Sequence, residues 1–215
     1  MRTANFLCLF WSLLACKSTA LAQAEGSAKT VVTPQNAVAT SSRQAENAVV
    51  SLDARREKRA MQVLLQAVRK EVVSAAEAMP ADKYGFAPTD GEFKGVRTFG
   101  QQVKHLSATN HILAAAALGE EPPADAGDEM GPAGVRTKAE ILDYLNASFA
   151  HLGKAIDAID SEDNPARHSP ISPMKAGEVT RLGLTVEALV HAFDHYGQMV
   201  EYLRMNGVVP PASRP

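Results

Sequence analysis

Four stretches of this chain carry apolar residues at three- and four-residue steps, each closed off by proline or glycine, a pattern suited to helices packed on one another. In the first, Met61, Leu64, Leu65, Val68, Val72, Ala75, Ala76 and Met79 form a stripe that begins after Leu52 and stops before Pro80. Residues 80–97 hold Pro80, Gly85, Pro88, Gly91 and Gly95 and read as a loop. Thr98 and Gln101 then form a capping-box signature, in which the threonine oxygen takes an orphan N–H and the glutamine reaches back. The helix they open is expected to run through Leu118 and end at Gly119. A second Gly/Pro-rich loop, 120–136, leads to another box at Thr137 and Glu140 and to a helix expected to end near Asp160. Asn164-Pro165, Ser169-Pro170 and Ser172-Pro173 keep residues 161–177 irregular. The last helix is expected to begin between Thr180 and Thr185 and to end at Asn206-Gly207. No strand signal and no internal repeat occur, so the expected fold is all-α, a four-helix bundle with long loops over residues 52–212.

The segments before this bundle read differently. Met1-Arg2, the apolar run Phe6 to Ala15, and Ala20-Leu21-Ala22 before Gln23 have the order of a secretory signal peptide, residues 1–22. That run is shorter than the roughly 20 residues a membrane-crossing helix needs, so no membrane span is expected. Residues 23–51 are rich in Ala, Ser, Thr, Gln and Asn without a sustained period and are expected to be a disordered leader. Both cysteines, Cys8 and Cys16, fall inside the signal, so cleavage after Ala22 leaves no thiol and no disulfide chemistry. The expected location is therefore periplasmic or secreted, the alternative being a lipoprotein anchored at Cys16 through Leu13-Leu14-Ala15-Cys16. Cleavage also removes Arg2 and Lys17 and no acid, which takes the formal charge from −2 to −4. Without a concentrated basic face, nucleic acid is not an expected partner.

The chemistry concentrates in His191-Ala192-Phe193-Asp194-His195-Tyr196-Gly197-Gln198. An i, i+4 pair on a helix points His191 and His195 at one spot. At about 100° per residue, Val186, Leu189, Val190, Phe193 and Val200 make one apolar stripe on this helix. Leu184, Ala188, Met199 and Tyr202 make a second, which contains the two histidines, so the helix is expected to be buried on two sides. Buried imidazoles need partners, and two readings meet that need: interhelical hydrogen bonds, or a divalent metal held by neutral ring nitrogens. His105 is a candidate third donor on another helix, and His111 lies on the same helix six residues and about 240° further round, so the two cannot both face one centre. Asp194 and Glu187 flank the pair, as orienting acids, as a substitute for His105, or as solvated side chains. His151 lies on the third helix, and His168 in a proline-bounded loop, where solvation is expected.

Three segments together resemble the DinB-like family of metal-binding four-helix-bundle proteins related to bacterial thiol transferases. They are Ala75-Ala76-Glu77-Ala78-Met79-Pro80-Ala81-Asp82-Lys83-Tyr84, Arg97-Thr98-Phe99-Gly100-Gln101-Gln102-Val103-Lys104-His105, and His191 to Gln198 leading into Tyr202-Leu203-Arg204-Met205-Asn206-Gly207-Val208-Val209-Pro210-Pro211. The resemblance covers about residues 53–212. It implies one divalent metal (zinc, nickel or iron) on His105, His191 and His195, selects His105 over His111, and implies a homodimer through bundle helices. Characterised relatives use low-molecular-weight thiols in the cytoplasm, so export into an oxidising compartment argues against thiol transfer here. The functional expectation is a metal-dependent hydrolase or transferase acting on an unknown small-molecule substrate, with the catalytic residues unassigned. Asp194, Gln198 and Tyr84 are the candidates for handling protons or substrate. The alternative is a non-catalytic exported binding module stabilised by its metal.

Overall fold

The structure is a computed structural model that describes residues 34–126, 129–160 and 166–215. The expected signal, 1–22, and the first part of the leader, 23–33, lie outside the described residues. The chain divides into two units, residues 1–41 and 42–215. Among the described residues there are four α-helices: α1 (Pro34–Ala78), α2 (Phe99–Leu118), α3 (Lys138–Asp157) and α4 (Arg181–Met205). Two short 3₁₀ turns, Ala81–Lys83 and Pro211–Ser213, complete the regular structure, and no β-strand occurs among the described residues.

α1 corrects the expected leader: a disordered segment up to residue 51 is replaced by helix from Pro34 onward. Between Pro34 and Pro80 there is neither glycine nor proline to interrupt a helix, and Ala, Gln, Glu and Arg favour its extension from the packed turns that follow. Proline suits the first helical position because its N–H would be unpaired there anyway. The missing apolar stripe, which had pointed to a leader, appears instead as exposure, since residues 42–50 are all exposed. Burial begins at Ala54 and continues with Met61, Leu65, Val68, Val72, Ala75, Ala76 and Met79, while Leu64 of the same stripe stays exposed.

In the unit 42–215, these side chains share one core with Leu106 and Leu113 of α2, Phe149 and Leu152 of α3, and Leu184, Met199 and Leu203 of α4. α2 packs against both α3 and α4, and the run Ala114–Ala117 on it is small enough for close approach. α1 reaches α3 through Arg69 Nη2 donating to Asn146 Oδ1 (3.3 Å), and α4 through Tyr196 OH donating to Glu71 Oε2 (2.9 Å). Both expected capping boxes form, at Thr98/Gln101 and Thr137/Glu140. α2 ends where expected, at Gly119 with φ +75°, a left-handed conformation that glycine adopts without a Cβ penalty. α3 stops at Asp157, three residues before the expected Asp160.

Arg181, the first residue of α4, ties the other helices' ends together. Its Nε donates to Ala117 O at 2.8 Å and its Nη1 to Ala158 O at 2.6 Å, so one guanidinium serves the carbonyl ends of α2 and α3. On the far side of α2, His111 Nδ1 lies 3.0 Å from His151 Nδ1 of α3. Burial, and then the neighbouring imidazole, push His111 down to about 4.

α4 does not bury two sides. Its inner face, with Leu184, Ala188, Leu189, Ala192, His195, Met199, Tyr202 and Leu203, is buried. Of the outer stripe, Val186, Val190 and Phe193 are exposed, Val190 by 63%. The reason is positional: within residues 42–215, the other helices line only the inner face.

Two outcomes follow from these contacts. Arg181→Met should lower unfolding free energy by roughly 2 kcal/mol, since hydrogen bonds from a charged donor are lost at two helix ends; urea titration measures it. Because folding depresses His111 from 6.5 to about 4, the unfolded chain takes up the proton first, so this contribution is whole above pH 6.5 and is lost on acidification toward pH 4. Stability of His111→Asn should therefore fall less steeply over that window than that of the parent chain.

Candidate metal centre

His105 sits two turns into α2, after the Thr98 cap has set where the helix starts. His191 and His195 are one turn apart on α4 and share its inner edge. Packing of α2 on α4 brings the three rings together. His191 Nε2 lies 3.2 Å from His105 Nε2 and 3.0 Å from His195 Nε2. One donor atom from each ring falls within 4.8 Å of the others. The rings meet edge to face, at 77°, 75° and 81°, and His105 and His195 are buried.

Hydrogen bonding alone does not account for this arrangement. His105 Nδ1 is 3.0 Å from the carbonyl oxygen of Glu129, which can only accept, so the ring proton sits on Nδ1 and Nε2 presents a lone pair. If His191 donates from Nε2 to that lone pair, the same nitrogen has nothing left with which to accept from His195. Protonating a ring would supply a donor, but all three are held neutral. Burial first, then neighbouring imidazoles, push His195 down to about 3 and His191 to about 4. His105 is also lowered, by burial first, against the opposing pull of the Glu129 carbonyl. Three uncharged nitrogens aimed at one region are the donor set of a divalent cation, so the cluster fits a metal ion. His191 Nδ1 and His195 Nδ1 are buried without hydrogen-bond partners, which leaves His105 as the one ring with an orienting acceptor.

That acceptor has an unusual backbone. Glu129 has φ +68°, the sole positive value at a non-glycine residue among the described residues. Such a conformation costs on the order of 1–3 kcal/mol and persists where surrounding contacts impose it. Its carbonyl meets His105, and its carboxylate Oε2 lies 3.6 Å from the same nitrogen.

Two cavities reach the cluster. One, of about 730 Å³, is lined by Arg97, Gln102, Met130, His195, Gln198 and Tyr202 among others. The other, of about 720 Å³, touches His191 and is largely apolar, with Leu113, Ile171, Met174 and Val186 in its wall. In the first, a polar relay has a fixed direction. Gln198 Nε2 donates to Asp194 Oδ2 (2.8 Å), so its Oε1 accepts from Gln102 Nε2 (2.5 Å). Gln102 Oε1 is then left buried without a partner.

His111, on the far side of α2 with His151, stands apart from the cluster, as its angular offset required. His168 is exposed. Neither flanking acid joins the histidines. Glu187 accepts from Ser172 Oγ at 2.7 Å, and Asp194 is exposed and accepts from Gln198. Tyr84 is buried elsewhere, its hydroxyl donating to Ala76 O at 2.7 Å, where it holds the 80–97 loop against the end of α1. Gln198 alone of the three proton-handling candidates lines a cavity at the triad. Sequence reasoning assigned no role to Glu129, Arg97 or Gln102. Arg97 and Gln102 stand in the same phrase as His105, but Glu129 lies in a Gly/Pro-rich loop that offers no periodic signal.

No helix among the described residues is long and apolar enough to cross a membrane. No curated protein matches the chain. A family model of the DinB superfamily matches residues 64–199, more than half of the sequence and a span that takes in all three histidines. Its helical architecture agrees with that match, and the chain belongs to the DinB superfamily.

Proposed function

We propose that this chain binds one divalent cation, zinc, nickel or iron, through His105, His191 and His195, and is an exported metal-dependent hydrolase or transferase. The observation that carries the reading is the approach of three neutral Nε2 atoms that cannot satisfy one another by hydrogen bonding. Borderline cations suit imidazole ligands. Held by three uncharged ligands, such a cation supplies Lewis acidity with a coordination position left for a substrate atom.

The remaining work falls to the chain itself. Glu129 fixes which nitrogen of His105 carries the proton. The Asp194–Gln198–Gln102 relay sets the polarity of the wall beside His195. Leu113, Met174 and Val186 keep the His191 side apolar. A purely structural metal is enclosed by protein ligands, whereas here two cavities reach the donor set, which favours the enzyme over a non-catalytic module. Export rests on the residue pattern of 1–22. A homodimer, implied by the family resemblance, is supported by the exposed stripe Val186, Val190 and Phe193 on α4.

Elemental analysis of chain prepared without a histidine tag should find about one metal ion per chain. His105→Ala, His191→Ala and His195→Ala should each lose most of it, while His111→Ala keeps it. Equal metal in all four variants would sink the assignment. For the dimer, sedimentation should give twice the chain mass, and Val190→Glu with Phe193→Glu should give the monomer; a wild-type monomer at micromolar concentration overturns that part.

A further inference from the structure

The cavity that reaches His195 holds a cation without a counter-charge. Arg97 lines it, is partly buried, and has its Nε buried with no hydrogen-bond partner. Glu201, an acid in the same wall, pairs with Arg204 at 2.8 Å instead. No carboxylate among the described residues forms an ion pair with Arg97. Its positive field reaches all three histidines and disfavours their protonation. Removing a guanidinium part way from water without an acceptor is unfavourable, and a ligand that brings an anion reverses the balance.

We propose that this cavity takes the anionic end of a substrate, a carboxylate or phosphate group on an apolar body, with Arg97 as its counter-ion. Its placement beside the triad makes the inference rest on the metal-binding reading, since a cation on three uncharged ligands adds a second positive centre to the same cavity. Phe93, Val96 and Met205 supply the apolar wall. Gln102 adds a selection rule. Its buried Oε1 lacks a donor, and the relay to Asp194 prevents the amide from turning, so a substrate with an O–H or N–H near its anionic group fills a vacant acceptor. The second cavity is largely apolar and has Glu129 and Glu187 but no Lys or Arg in its wall, so of the two only the first offers an anion a protein cation.

The test is calorimetric titration of the metal-loaded full chain with benzoate and phenyl phosphate, using benzyl alcohol as the neutral analogue of the same ring. At least one anion should bind tenfold or more tightly than the alcohol, and the preferred anion distinguishes carboxylate from phosphate. R97Q should weaken anion binding at least about tenfold, change alcohol binding less than about twofold, and keep its metal content and melting temperature; R97K should restore part of the affinity. Wild-type chain gives a readout that needs no variant: benzoate or phenyl phosphate should protect Arg97 from phenylglyoxal, scored by peptide mass. Anions bound no better than the alcohol, anion binding unchanged in R97Q, or no protection of Arg97 each overturn the proposal. Metal-loaded chain whose anion binding ignores Arg97 sinks this inference and leaves metal binding standing. Arg97-dependent anion binding by a chain that takes up no metal upholds the anion site and sinks the metal.

Discussion

The mutual approach of three imidazole nitrogens at 3.0 and 3.2 Å is the contact on which the reading of this molecule depends. Two lone pairs that close repel unless something positive stands between them, and a proton can stand between only one pair at a time. The Glu129 carbonyl removes the remaining freedom by holding the proton of His105 on its outer nitrogen. The Asp194–Gln198–Gln102 relay and the strained backbone of Glu129 sit around this convergence and set its surroundings.

Bringing the rings together is a packing problem before it is a chemical one. His105 and His191 lie 86 residues apart in sequence on separate helices, and only the α2–α4 contact unites them. That contact is held by Leu106, Leu184, Ala188 and Met199 in the shared core, and by Arg181, which ties the far ends of α2 and α3 to the start of α4. The apolar core therefore supports the burial that keeps the histidines neutral and able to act as ligands.

Much of this was legible in the chain before its structure. Gly/Pro punctuation and capping boxes placed α2 and both its ends, because those signals are local. His191 and His195 were reachable from helical spacing; the angular argument allowed only one of His105 and His111 at the same centre, and the DinB-like phrase chose His105. Two expectations failed for physical reasons. Residues 34–51 lack an apolar stripe, yet after Pro34 they hold no glycine or proline to break a helix, so α1 extends back from its buried turns as exposed helix. The Val186, Val190 and Phe193 stripe looked like a second core face, but periodicity reports which residues share a side and not whether a neighbour covers it.

By itself, the sequence determined the all-α class, both ends of α2, most of the buried stripe of α1 and the identity of the three imidazoles, since each follows from spacing along one segment or from the family phrases. Tertiary structure decided what depends on distance between segments. It set the orientation of the rings, the carbonyl of Glu129 on His105, the uncompensated charge of Arg97 and the contrast between the two cavities. The reason is that charge, burial and hydrogen-bond polarity are properties of neighbourhoods, and residues 97, 102, 129 and 195 become neighbours only when the loops fold back over α2 and α4.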